Sequence, residues 1–385
     1  MNRVKIRPDR LRDNFMELAS ISSPSRREGE VARWIRERFS RFRHEFLEDS
    51  AAELTGSDTN NLIVQIEGDR QAPALFLNAH MDMVEPAEGV KPRFQDGVFR
   101  SDGTTVLGAD DKAAVAIILE ALEAAREAGI ALPPLDLVFT VCEEIGLLGA
   151  KALDVSLLRA KAGYALDSTE PFQLINRAPQ AVRFLVEVHG RAAHAGIEPE
   201  KGINAILAAA RAMKDIPSGR IDEDTTCNIG VIKGGKATNI VPELVTIEGE
   251  VRSHDPRRLK EVQDEIIGAF HREIRPEDGA SGLPRVVSQV DEDYPLMSIP
   301  EDHELVVTAK AAARRMGRQI SVASTGGGSD ANIFNGKGIA TVILGIGMRN
   351  VHSTQEFIEL SDMVNTAGLV AEILDLWGRA DSHRP

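Results

Sequence analysis

The residues of this chain that could do chemistry stand at the ends of apolar runs. Leu75-Phe76-Leu77-Asn78-Ala79 stops at His80 and, two residues on, Asp82. The run from Leu135 to Cys142 stops at Glu143-Glu144, and Tyr164-Ala165-Leu166 stops at Asp167. His352 follows the run Ala340-Thr341-Val342-Ile343-Leu344, while Asp110 and Asp111 open an alanine-rich stretch. Residues i and i+2 of a strand point the same way, so Asp82 can hold one His80 nitrogen and leave the other for a metal. Taken alone, that pair reads more simply as a buried histidine satisfied by a neighbouring acid. Each further acid, alone, reads as a solvated strand end or a helix cap.

Their recurrence changes the reading. Carboxylates gathered at one sheet edge repel unless a counter-charge is present, and a pair of divalent cations supplies it. Histidine with carboxylate and no thiolate suits zinc, cobalt or manganese better than calcium or magnesium. The number of ligands favours two ions, one carboxylate bridging and each ion taking a further histidine and carboxylate. Ions roughly 3.5–4 Å apart make a shared water nucleophilic near neutral pH. Adjacent glutamates at a strand end diverge, so one can bind metal while the other serves as general base.

The elements needed to hold these groups are legible as strands and helices. Apolar runs at 61–66, 75–80, 135–142, 164–166 and 340–344 read as buried strands. Helical spacing runs over 9–20, 28–43, 112–128, 303–316 and 361–377. Ser25 and Glu28 form a capping-box pattern ahead of the second of these, and Asp110 and Asp111 favour the start of the third. Strand followed by helix, with polar groups at the strand ends, predicts an α/β fold with a mainly parallel sheet and helices on both faces. From about 180 the texture changes to βαββαβ, which predicts an α+β, ferredoxin-like domain with one antiparallel sheet. The chain is therefore expected to carry an inserted domain, 180–291, within a discontinuous one, 1–179 and 292–385.

Composition narrows the partners. A formal net charge of −14, spread along the chain, argues against nucleic acid or an anionic membrane surface. The two cysteines, Cys142 and Cys227, lie in separate apolar runs and form no disulfide framework, which points to a reducing cytoplasm. No stretch approaches the ~20 apolar residues of a membrane span, and the basic start leads into no signal-like segment. The run Thr325-Gly326-Gly327-Gly328-Ser329-Asp330 lacks the lysine and spacing of a phosphate-binding loop.

With these residues in order, the chain resembles the dizinc exopeptidase family of peptidase T, bacterial glutamate carboxypeptidase and the aminoacylases. The matching segments are His80-Met81-Asp82, Gly108-Ala109-Asp110-Asp111-Lys112, Glu143-Glu144-Ile145-Gly146, Asp167, Gly190 to Gly196 and His352, and they span the chain. Glu143 to Ala150 and Val351 to Glu356 look most like the peptidase T members. The resemblance implies that Asp110 bridges two zinc ions, with cobalt or manganese able to substitute. It gives His80 and Asp167 to one ion, Glu144 and His352 to the other, and makes Glu143 the base. Asp82 would orient His80, and the Asp110–Asp111 peptide bond would be cis, leaving Asp111 as a cap. The inserted domain would be a lid and dimer contact, with His194 stabilising the oxyanion. Asn239, Arg252 and the backbone of Gly327 and Gly328 would hold substrate. Without the resemblance, His194 reads as a loop histidine and Arg252 as an exposed strand-end charge.

The expected activity is a cytoplasmic aminopeptidase that removes the N-terminal residue from short peptides such as tripeptides, acting as a homodimer. The alternatives are an amidohydrolase or carboxypeptidase on N-acyl amino acids or dipeptides and, more remotely, a catalytically silent binding homologue. One departure bears on this choice: Gly326 stands where peptidase T is expected to carry an arginine.

Overall fold

Four parallel strands, buried along most of their length, carry the polar strand ends. In the computed structural model, which describes residues 4–214, 216–276 and 282–379, they lie in the order Leu135–Thr140, Leu75–His80, Ala162–Ser168 and Ala340–Gly345. The ends of the expected large domain, 1–3 and 380–385, fall outside the described residues. Leu62–Ile66 and His44–Glu48 extend the sheet on one side, and Gln173–Ala178 on the other, all antiparallel to the neighbour nearer the centre. The sheet is thus parallel at its centre, as expected, and antiparallel where these flanking strands join it, with Ser321–Ser324 pairing parallel to Gln173–Ala178 beyond.

Alternation along Leu75–His80 shows how the sheet is covered. Leu75, Leu77 and Ala79 join the main core with the helix Ala109–Glu127. Phe76 instead meets Phe334 of the helix Asp330–Gly336 edge-on, with ring centroids 4.7 Å apart. Ala109 to Ala125 are all buried, as an apolar helix surface demands.

The chain divides into two compact units. One runs to Arg177 and continues through Met297–Thr325 and from Ser329 on; the other is Ala178–Leu296 with Gly326–Gly328. In the smaller unit the strands Gln180–His189, Thr225–Gly234, Leu244–Ser253 and Arg285–Tyr294 pair antiparallel. Their spatial order, fourth–first–third–second, with the helices Ala205–Met213 and Pro256–Glu273, is the ferredoxin-like arrangement. Arg285–Tyr294 runs past residue 291 because Tyr294 still pairs with Ala181. Gly328 lies against the Tyr294 ring so closely that a Cβ there would come within 2.4 Å of it. No helix among the described residues is long and apolar enough to cross a membrane.

Candidate metal centre

Asp110 is the hinge of the site. Its Oδ1 lies 3.0 Å from Nε2 of His80, and its Oδ2 lies 3.3 Å from Nε2 of His352. His352 Nε2 also lies 3.1 Å from Glu144. Three groups of side chains could each gather around an ion: His80 with Asp110 and Asp167, Asp110 with Glu144 and His352, and His80 with Glu143 and Glu144. Within each group the ligand atoms lie within 4.8 Å of one another. All these residues belong to the larger unit.

The backbone around them is held by carboxylates. Asp82 accepts Ser25 Oγ at 2.6 Å and the N–H groups of Glu143 and Glu144 at 2.9 and 3.2 Å, and its Oδ1 lies 3.4 Å from His80 Nδ1. The Asp82 main-chain carbonyl lies closer still to His80 Nδ1, at 3.1 Å, so residue 82 meets the imidazole through both backbone and carboxylate, and the carboxylate ties down the backbone of both glutamates. Buried Glu28 accepts the N–H groups of Arg26 and Cys142, each at 2.9 Å, and steadies Cys142 at a φ of 53° just before Glu143. Ser25 and Glu28 thus make no capping box: the helix Gly29–Phe39 has no side-chain cap. Their polar groups are drawn instead to the buried strand ends, where an unmet donor costs more than an exposed helix terminus.

The peptide bond between Asp110 and Asp111 is cis. Asp111 does not cap the following helix, contrary to expectation. It is fully buried and accepts the His80 N–H at 3.2 Å, while its Oδ1 has no partner.

The electrostatics are those of buried acids in need of cations. Burial pushes Glu143, Asp167 and Asp111 well above the usual carboxylate range. Burial acts the same way on Asp110, but hydrogen bonds from His352 and His80 outweigh it and hold this carboxyl below that range. His352, bonded to Asp110 and Glu144, rises to about 10. His80 is also raised well above 6.5, its bonds to Asp110 and Asp82 overcoming burial. Glu144 keeps one oxygen, Oε1, buried without a partner. Two imidazoles, converging carboxylates and that orphaned oxygen fit divalent metal, and Asp110 belongs to two of the three groups.

The remaining predicted residues lie in the smaller unit. His194 is exposed, pairs with Ile240 in a β-bridge and accepts the Gly196 N–H at 3.2 Å. The Asn239 carbonyl accepts the Ala195 N–H at 2.9 Å, so these two loops are joined through their backbones. Arg252 makes bonds of 2.9 and 3.0 Å to Glu250 and one of 3.4 Å to the Gly326 carbonyl. It is no free strand-end charge. Gly327 and Gly328 are half-buried beside it in the same unit.

Sequence reasoning missed Glu356 and Asp330. Buried Asp330 accepts a hydrogen bond from Thr140 through Oδ2, its Oδ1 has no partner, and burial raises its pKa to about 6. The signal for Asp330 was present, an acid closing the glycine run, but that run was read for its backbone alone.

The fold and this ligand geometry define a metallopeptidase. Residues 76–376 match the model of Peptidase family M20/M25/M40, and the chain belongs to that family. The uncharacterized protein YqjE of Bacillus subtilis is 38% identical over 367 residues, covering 95% of this chain and 98% of that one. Two crystal structures are each 37% identical over 96% of this chain and 98% of theirs. They are the aminopeptidase PepT of Bacillus cereus, at a TM-score of 0.88, and a tripeptidase of Staphylococcus aureus, at 0.90.

Proposed function

We propose that the chain is a dinuclear aminopeptidase that releases the N-terminal residue of short peptides, tripeptides foremost. The observation that supports this best is Asp110, which presents one oxygen to each of two histidines, as a carboxylate bridging two ions would. Around it His80 and Asp167 would hold one ion and Glu144 and His352 the other, with zinc as the expected metal. When bound, such ions polarise a carbonyl and depress the pKa of a water.

The chain's own groups do the rest. Glu143 takes a proton from the attacking water and returns it to the amine nitrogen as the C–N bond breaks. It is half-buried, with its carboxylate within 4.8 Å of the ligand atoms of His80 and Glu144, which suits both halves of that task. Asp82 holds the His80 ring in one tautomer, and His194 supplies a donor to the developing oxyanion. Arg252, Asn239 and the backbone at Gly327 and Gly328 hold the substrate.

A homodimer through the smaller unit is supported by its exposed apolar side chains. Ile197, Leu207 and Ile232 are 72%, 56% and 53% exposed. Light scattering at micromolar concentration is expected to give twice the chain mass. Two buried free cysteines suit a reducing cytoplasm.

The test is hydrolysis by the zinc- or cobalt-loaded protein of a tripeptide, a dipeptide and an N-acetyl amino acid. Release of the N-terminal residue from the tripeptide is expected, with Glu143→Ala slower by about 10²–10⁴-fold. Cleavage of the N-acetyl compound alone would replace this reading with an amidohydrolase. That alternative draws on Gly326 and on Arg252, whose two shortest bonds are committed to Glu250. Metal binding without cleavage of any of the three would indicate a binding homologue.

A further inference from the structure

His352 is the most exposed of the proposed ligands, with its side chain 55% accessible, so something other than burial must hold it. It sits at the tip of a turn whose ends are closed by a bridge between Arg349 and Phe357. Inside the turn, Ser353 Oγ donates to the Asn350 carbonyl at 2.7 Å and the Glu356 N–H donates to the Ser353 carbonyl at 3.0 Å. His352 and Asn350 both have positive φ, 61° and 52°, so the turn has few alternative shapes.

The turn is anchored through Glu356, which is 2% exposed. Its Oε2 accepts the N–H groups of Leu107 and Gly108 at 2.7 and 2.8 Å, and its Oε1 accepts that of Asp110 at 2.9 Å. Those donors form the loop that presents Asp110. One carboxylate thus ties two ligand-bearing segments that lie 242 residues apart, 352 less 110.

We propose that Glu356 is a positioning residue for the metal centre, locking the His352 turn to the Asp110 loop so that both side chains reach the same ion together. The N–H groups that its carboxylate accepts are not ligand atoms, so it acts through backbone. A glutamine would turn an NH₂ toward a donor at one end, and an aspartate falls one methylene short of the three N–H groups. The inference rests on the dinuclear reading above, so the test must be able to fail separately from it.

Full-length metal-free protein is titrated with Co²⁺, read by its visible absorption bands, and with Zn²⁺ by calorimetry. Wild type is expected to take two ions per chain. Glu356→Gln is expected to bind at least one of them about 10–100-fold more weakly, with altered cobalt bands and unchanged far-ultraviolet circular dichroism. If wild type binds no metal, the dinuclear reading fails first. Wild-type affinity and bands in a folded Glu356→Gln overturn the positioning role, as does a lowered Tm with metal binding intact. Should that variant not fold, Glu356→Asp decides: weakened metal binding supports the role and wild-type binding overturns it. If neither variant folds, Glu356 is a folding residue and the proposal is wrong.

Discussion

Asp82 shows how much one carboxylate can organise. Three hydrogen bonds and the His80 imidazole converge on its two oxygens, from Ser25, Glu143 and Glu144. An asparagine keeps the shape but turns an NH₂ group against at least one donor, leaving it unmet in a buried place. Asp82→Asn is therefore expected to lower kcat/KM by about 10–100-fold and to weaken metal binding, measured by hydrolysis and by zinc calorimetry. An unchanged metal affinity would mean that His80 is aimed by the main-chain carbonyl of residue 82, 3.1 Å from its Nδ1, and not by the carboxylate. The pairing of Asp82 with His80 was legible because it follows from strand periodicity alone. The donors from Ser25 and the glutamate backbone were not. They depend on which segments meet in space, and Ser25 with Glu28 satisfies an equally good local pattern, the capping box.

At the scale of the element, the turn after Leu135–Thr140 sets both glutamates. The Gly149 N–H donates to the Val141 carbonyl at 3.0 Å, folding the chain back on its own strand end. A Cβ at Gly149 would lie 2.1 Å from that carbonyl oxygen, and backbone cannot rotate away as a side chain can. Gly149→Ala is expected to destabilise the fold by roughly 1–3 kcal/mol, read by denaturant unfolding, and to lower activity by displacing Glu143. An alanine variant of full stability and activity would show that the turn can open. The same contrast explains which elements were readable. Long apolar strands and amphipathic helices announce themselves through period. Arg93–Gln95, Val98–Arg100 and Phe357–Glu359 have three residues each and charged or polar members, so no period can form. His44–Glu48 is an antiparallel edge strand without an apolar run, so nothing marks it after the helical pattern that ends at 43. Yet Phe357–Glu359, pairing with Val98–Arg100, continues directly from the His352 turn, so short strands frame the site as surely as long ones.

The whole molecule registers the buried acids through its response to pH. A group whose pKa is higher folded than unfolded binds more protons when folded, so its contribution to stability is lost as pH rises through that interval. Asp330, raised by burial to about 6, and Glu356, raised by burial to about 7, both behave so. Glu143, Asp167, Asp111 and the two histidines shift in the same direction. Groups of opposite sense act elsewhere. Lys112, lowered by burial to about 7, adds stability only as pH rises above that value, and Asp82 and Asp110, held low, contribute stability that is lost only in acid. Metal-free protein is therefore expected to lose thermal stability steadily between about pH 5 and pH 7. Metal reverses the sign, because its ligands must shed their protons to bind, and stabilisation by the ion grows as pH rises. Thermal unfolding at several pH values, once with chelator and once with excess zinc, should give slopes of opposite sign. A metal-free protein whose Tm climbed over this range would contradict the buried-acid cluster. Parallel slopes in the two series would remove the metal from these ligands, and with it the reason for so many acids at the end of one sheet.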